Sequence, residues 1–460
     1  MTSTPASPPA LAADIEAALA HPGVGLGSVR IGAGVRREVA DAVPAGARVA
    51  LLRDTVPYRT AHGADVKAEV AALLRGRAEV SEVVLDGDVH ADEQTVAAAV
   101  EGCADADWVV TVGSGTLSDI GKVAAGERPH VVVQSAASVN GFADDQSVLL
   151  KSGVKRTVAS AWPRALLVDS EVLAGAPAKL NRSGLGDMIS MFTAPADWYL
   201  SSLVGLDRGW NADAAVMTRR YGDELLALAE GVGASDPVAL ERLAEFLTLS
   251  GLSMGVAGQT SPSSGMEHTV SHMLDMAHGA RGEHTALHGS QVGVATVLVA
   301  IVWRRALARI DAGAEIEVPG KAQAERAVRA AFERLDPSGR MGEECWNAYV
   351  KKLDRLREPG VVDALRSALT ADWADHRGRL EGLLERPERI AGALAEAGAP
   401  LRFGALDQPA SPDDVRWALL NCHLMRDRFT VADLSFLMGA WTADDVEATL
   451  AEAEALGVGA

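Results

Sequence analysis

Five of the chain's eleven histidines, His268, His272, His278, His284 and His288, fall in one short stretch. His268 and His272 are four residues apart and share a helix face. Two neutral imidazoles and a carboxylate, with one coordination position left open, suit Zn²⁺ or a similar divalent ion acting as a Lewis acid. A carboxylate stands upstream at Asp187, in a GLGD segment read as opening a helix. There an Asp also serves simply as a cap or as a partner for the helix dipole.

A further constellation is GSGTLSDIGK, Gly113 to Lys122. Its glycines let backbone approach a phosphate, and free amides at a helix start favour an anion. Asp119 and Lys122 lie three apart on one helix face. The pattern is neither GxGxxG nor a P-loop, so an ordinary strand-to-helix turn stands beside phosphate binding as a reading.

These residues need elements to hold them. Arg48–Arg53, Val80–Leu85, Trp108–Val112 and His130–Gln134 are short β-rich runs, with helical patterns at Ala64–Leu74 and Asp92–Glu101. Such alternation predicts a parallel sheet with helices on both faces. After about Leu173 helical patterns take over, at Arg219–Glu230, Pro237–Leu252 and Asp413–Arg428. The expected architecture is α/β plus all-α, with the active site in a cleft between two domains. Residues 1–20 are read as a disordered tail, 21–172 as a Rossmann-like dinucleotide-binding domain, and 173–460 as a helical metal- and substrate-binding domain. The stretch from Asp311 to Arg389 reads as charged and irregular.

With 460 residues, two domains are the default. Lys plus Arg number 43 against 62 for Asp plus Glu, a formal charge of -19, which repels nucleic acid. The three cysteines form no CxxC pair, so reduced, buried thiols are expected. The N-terminus has no basic region leading into an apolar core, and Val292–Trp303 is too short to span a bilayer. A cytoplasmic protein without membrane insertion is the expectation.

Taken together, these motifs resemble the glycerol-1-phosphate dehydrogenases of the AraM type, within the dehydroquinate synthase-like and iron-containing alcohol dehydrogenase superfamily. The resemblance runs in order through GSGTLSDIGK, ASVNGFA at Ala137–Ala143, GVKRTV at Gly153–Val158 and GLGD at Gly184–Asp187. It continues through SGMEHTVSH at Ser264–His272, LHGSQVGVAT at Leu287–Thr296 and HLMRDRFTVADL at His423–Leu434. It implies a divalent metal, zinc or nickel or else iron, on Asp187, His268 and His288. It also implies NAD or NADP, with the pyrophosphate on Gly113, Gly115, Thr116, Asp119 and Lys122. Ser135 and Ser138 would line the cofactor, and Asp54 would sit near the adenosine ribose, favouring NAD. The implied reaction is reduction of dihydroxyacetone phosphate, a small phosphorylated substrate, and a homodimer is compatible with it.

Two residues depart from the family pattern. Asn140 stands where an acid near the substrate is expected, and Ser290 where a Glu is expected after His288-Gly289. Each departure removes a carboxylate. An altered substrate, cyclase or lyase chemistry of the dehydroquinate synthase kind, and a catalytically silent homologue therefore stand as alternatives. Lys151, Lys155 and Arg156 read as a solvated basic turn or as a phosphate clamp.

Overall fold

The computed structural model describes residues 9–87, 89–151, 154–207 and 209–460. The chain forms two compact units. The first comprises residues up to Met188 with Asp223–Gly258 and Glu396–Ala399; the second comprises Ile189–Gly222, Gln259–Ala395 and Pro400–Ala460.

The first unit is built on a six-stranded parallel sheet of β1 (Val29–Gly32), β2 (Arg48–Asp54), β3 (Glu79–Leu85), β4 (Trp108–Gly113), β5 (His130–Gln134) and β8 (Ala165–Asp169). The spatial order is β1-β8-β5-β4-β2-β3. Strands covered on both faces read as continuous apolar runs, which is why the valine-rich segments at β4 and β5 mark the centre. Alternation is visible in the packing. Val49 and Leu51 join Val66, Val70 and Leu74 of α2 (Val66–Arg75) on one face. Ala50 and Leu52 join Ala99 of α3 (Glu93–Gly102) and Leu117 and Ile120 of α4 (Gly115–Ala125) on the other.

Two strands lie outside the four expected. Edge strand β1 is only four residues long, and β8 is preceded by strands rather than by a helix, so neither falls into the strand–helix alternation. Between β5 and β8 the chain inserts an antiparallel hairpin, β6 (Gln146–Lys151) and β7 (Val154–Ala159). Ser152 and Gly153 lie outside the described residues, as do the side chains of Lys151 and Lys155, so the basic-turn reading falls there.

The N-terminal stretch differs from expectation. Residues 9–19 of the expected tail form helix α1 (Pro9–Leu19), which packs on α7 (Pro237–Ala257). Leu11, Ile15 and Ala18 are buried at helical spacing, an apolar stripe easily lost among Pro and Ala. Residues 1–8 lie outside the described residues. Helix α7, expected among the C-terminal helices, belongs to the first unit with α5 (Ala178–Met188).

The second unit is helical. It contains α6 (Ala194–Leu203), α8 (Met266–Ala280), α9 (His288–Asp311), α10 (Arg340–Leu356) and α11 (Val431–Leu437). By length and composition α9 would cross a membrane, but Val292–Trp303 is buried inside the unit, as expected of a core helix. The charged stretch after Asp311 is not irregular. Helices Lys321–Glu333, α10, Val361–Ala368 and Trp373–Leu383 run through it. Ala324, Val328 and Phe332 form one buried stripe, and Cys345, Tyr349, Leu353 and Leu356 another. Ion pairs such as Lys321–Asp354 and Arg329–Glu343 occupy the exposed faces and mask that periodicity in composition. The three cysteines are free and buried, as expected.

Candidate functional site

In the first unit, β4 runs straight into α4 through Ser114, and the first helical bond of α4 joins Ser118 N–H to Ser114 O at 2.9 Å. The amides of Gly115, Thr116 and Leu117 precede that bond and have no partner within the helix, which is the arrangement that receives an anion. A Cβ on Gly113 would sit 2.2 Å from Leu117, and one on Gly115 would sit 2.8 Å from Val139. Both positions need glycine for this tight turn.

Two members of the expected phosphate set do other work. Lys122 is fully buried, and its ammonium donates to Gly141 O, Gln146 O and the Asp144 carboxylate. All three N–H groups are thereby spent inside the fold, so Lys122 braces the loop leading into β6 and presents no free charge to a phosphate. Asp119 accepts from Val148 N–H at 3.1 Å and ties the hairpin to α4. Spacing placed both residues on one helix face, but it is the face turned inward.

Asp54, at the end of β2, is buried among Lys67, the Tyr58 hydroxyl and Val56 N–H. Burial and the neighbouring Asp54 carboxylate push the Tyr58 hydroxyl above its usual range, so it stays a donor. Ser135 N–H donates to Gly113 O, which holds the ends of β4 and β5 together, and Ser138 is buried in the following loop.

Asp187 lies near the end of α5 rather than at a helix opening. It is buried, and its Oδ2 accepts from the backbone N–H of Asn140 at 3.0 Å. The Asn140 side chain donates to Ser250 Oγ at 3.1 Å. Orientation of Asp187 thus uses the main chain of residue 140, and the Asn-for-acid departure changes charge without removing that bond. The neighbouring Gly184 is also required, since a Cβ there would meet Ala137 O at 1.8 Å.

In the second unit, His268 and His288 stand with ring centroids 5.1 Å apart. His268 Nδ1 is 2.9 Å from Glu267 Oε1, and this carboxylate also accepts from Thr193 Oγ1 at 2.8 Å and from Gly265 N–H. Burial raises the Glu267 carboxyl, but His268 and the Gly265 amide outweigh it and leave the group below its usual range. An ionised acceptor requires a proton on His268 Nδ1, which leaves the Nε2 lone pair for a metal. His288 Nδ1 lies 3.1 Å from Ser271 Oγ, which donates to Gln291 Oε1 while Gln291 Nε2 donates to Asp275. Ser271 has one proton and spends it on Gln291, so it accepts from His288 Nδ1–H. His288 therefore also offers Nε2.

His272 stacks on His288 at 5.6 Å, and His278 bonds Leu274 O along its own helix. Ser290 is buried in the first turn of α9. Sequence reasoning passed over Glu267, Ser271, Gln291 and Asp197. Buried Asp197 accepts from Met266 N–H at 2.7 Å and Val431 N–H at 2.8 Å, pinning the start of α8 to α11. The segment at His423–Leu434 is a support of the same kind, for Lys352 holds His423 O, Arg428 O and Asp433 together. The only available signal for Glu267 was its adjacency to His268.

Comparison with known proteins agrees with these parts. Residues 30–177 match the family described as iron-containing alcohol dehydrogenase. The NAD(P)-linked glycerol-1-phosphate dehydrogenase of Bacillus licheniformis is 34% identical over 321 residues, covering 68% of this chain and 77% of that protein. Its namesake from Bacillus subtilis is 31% identical over 347 residues, covering 75% and 74%. Glycerol dehydrogenase from Schizosaccharomyces pombe shares the fold, with a TM-score of 0.56 at 14% identity, covering 94% of this chain and 90% of that one. A probable glycerol dehydrogenase from Sinorhizobium meliloti gives 0.54 at 16%, covering 94% and 97%. A Rossmann-like sheet, a helical unit carrying paired histidines, and these relatives converge: the chain belongs to the glycerol-1-phosphate dehydrogenase family of the iron-containing alcohol dehydrogenases.

Proposed function

We propose that this protein reduces dihydroxyacetone phosphate to sn-glycerol 1-phosphate with NADH or NADPH, and that Asp187, His268 and His288 hold one divalent metal, zinc, nickel or iron. The observation carrying the reading is the pair of histidines whose Nδ1–H groups are both committed, to Glu267 and to Ser271, so that Nε2 is the ligating nitrogen of each ring, with the ring centroids 5.1 Å apart. That donor chemistry fits a borderline divalent cation. When bound, such an ion supplies Lewis acidity toward the substrate's carbonyl oxygen.

The remaining work falls to the chain. The amides of Gly115 and Thr116 take the cofactor pyrophosphate, with Gly113, Ser135 and Ser138 shaping its bed. Lys122 and Asp119 keep that bed rigid from behind. Asn140 N–H fixes the Asp187 carboxylate, and Glu267 and Ser271 fix the two rings, so the reactants meet a preorganised site and no side chain acts as nucleophile. In this reading the enzyme works in the cytoplasm, and light scattering on the eluting protein distinguishes monomer from homodimer.

The test is NADH oxidation with dihydroxyacetone phosphate, on protein loaded separately with Zn²⁺ and Ni²⁺. Metal-dependent turnover is the expected outcome. No turnover, with NADH and metal both bound, would overturn this substrate and direct attention to Asn140 and Ser290.

A further inference from the structure

β2 and β4 are parallel neighbours in register, with Arg53 opposite Val112, so Asp54 ends its strand level with the glycine turn. In dinucleotide-binding sheets an acid at this place accepts from the ribose hydroxyls and repels a 2′-phosphate. Here the acid is occupied. Val56 N–H and Lys67 Nζ reach Oδ1, the Tyr58 hydroxyl reaches Oδ2 at 2.5 Å, and Lys67 also donates to Asp54 O at 2.8 Å. The ammonium lies 3.9 Å from the Tyr58 ring centroid, so the three groups form one packed knot. Lys67 is 7% exposed and Asp54 5%. A carboxylate with both oxygens committed and its charge matched by a buried ammonium is a poor acceptor for ribose and a weak source of repulsion.

We propose that Lys67 and Tyr58 are specificity-determining residues that mask Asp54, so that the protein accepts NADH and NADPH alike. The masking operates through charge balance at the end of β2. It rests on the dehydrogenase reading above, because it presumes a nicotinamide dinucleotide on the glycine turn.

The test is binding of NADH and NADPH, each followed by nicotinamide fluorescence, to the full chain and its variants. Unmodified protein is expected to bind the two within about tenfold of each other. Lys67→Met leaves the Asp54 charge unbalanced and should weaken NADPH relative to NADH by on the order of tenfold. Tyr58→Phe frees Oδ2 and should move the ratio the same way by a smaller factor, and it keeps the test alive if Lys67→Met fails to fold. The double change Asp54→Asn with Lys67→Met should restore the ratio, a recovery that a merely structural role for Lys67 would not produce. A hundredfold preference for NADH in the unmodified protein overturns the proposal, as does a ratio that neither single variant moves. Failure of the unmodified protein to bind either dinucleotide would instead overturn the dehydrogenase reading itself.

Discussion

Replacing Glu267 by Gln isolates what its charge does for the proposed metal centre. The change keeps shape and volume. Oε1 continues to accept from Gly265 N–H and His268 Nδ1–H, while the new Nε2 faces Thr193 Oγ1. Thr193 tolerates this, because Ser190 O lies 3.4 Å from its hydroxyl and can take the threonine proton, leaving the oxygen to accept. The fold should therefore change little, by about 1 kcal/mol or less, and Tm by a few degrees. His268 loses more. A hydrogen bond to a charged partner is worth about 1.5–3 kcal/mol and a neutral one about 0.5–1.5, so the ring gives up roughly 1–1.5 kcal/mol of orientation and basicity. At about 1.4 kcal/mol per factor of ten, Zn²⁺ affinity should fall about tenfold, at the low end of the range for groups one step removed from a metal. Competition with a chromophoric chelator measures this directly. If Glu267→Gln bound Zn²⁺ within twofold of the unmodified protein at unchanged Tm, the carboxylate would not be what aims His268, and the tautomer argument would fail with it.

Two other expectations follow from buried charge. Lys122→Met leaves Asp144 buried without its cation and should cost about 3–5 kcal/mol, read as a fall in the urea midpoint, whereas Lys122→Met with Asp144→Leu should recover most of that loss. His423 is held neutral by burial first and by Lys352 second, with its pKa lowered to about 3. Below the unfolded value of about 6.5 the unfolded chain takes up a proton that the folded one refuses, so this histidine makes stability fall by about 1.4 kcal/mol per pH unit between 6.5 and 3. His423→Phe, which keeps a ring against Phe436, should flatten the stability profile by that slope between pH 6.5 and 5; an unchanged slope in urea titrations would refute the assignment.

How much of this was legible in the sequence depends on the kind of signal. Strands β4 and β5 announce themselves because both faces are buried and valines dominate their middle positions, whereas β1 has three half-buried residues and the exposed Arg30, and nothing to mark it. The proposed metal donors were legible as residue types. The direction of a side chain was not. Lys122 reads as a cation beside a phosphate turn, and only packing reveals that its ammonium points inward to three acceptors. The Glu267–His268 bond was hidden for a related reason, since neighbours i and i+1 do not face each other on a helix surface. It forms because Glu267 sits in the first turn of α8, where its carboxylate folds back onto Gly265 N–H and comes to lie beside the next ring.

Gly265 makes that fold-back sterically exclusive. A Cβ at this position would sit 2.7 Å from the Asp197 carboxylate and 2.9 Å from that of Glu267. Two buried acids therefore converge on one glycine at the head of α8, one pinning the helix start and the other orienting the ring of His268. Burial and the nearby Glu267 charge raise the Asp197 carboxyl well above its usual range, which is the cost of bringing these groups together. The first acid holds the helix start in place, and the second is what the proposed metal site asks of it, a fixed ring for His268.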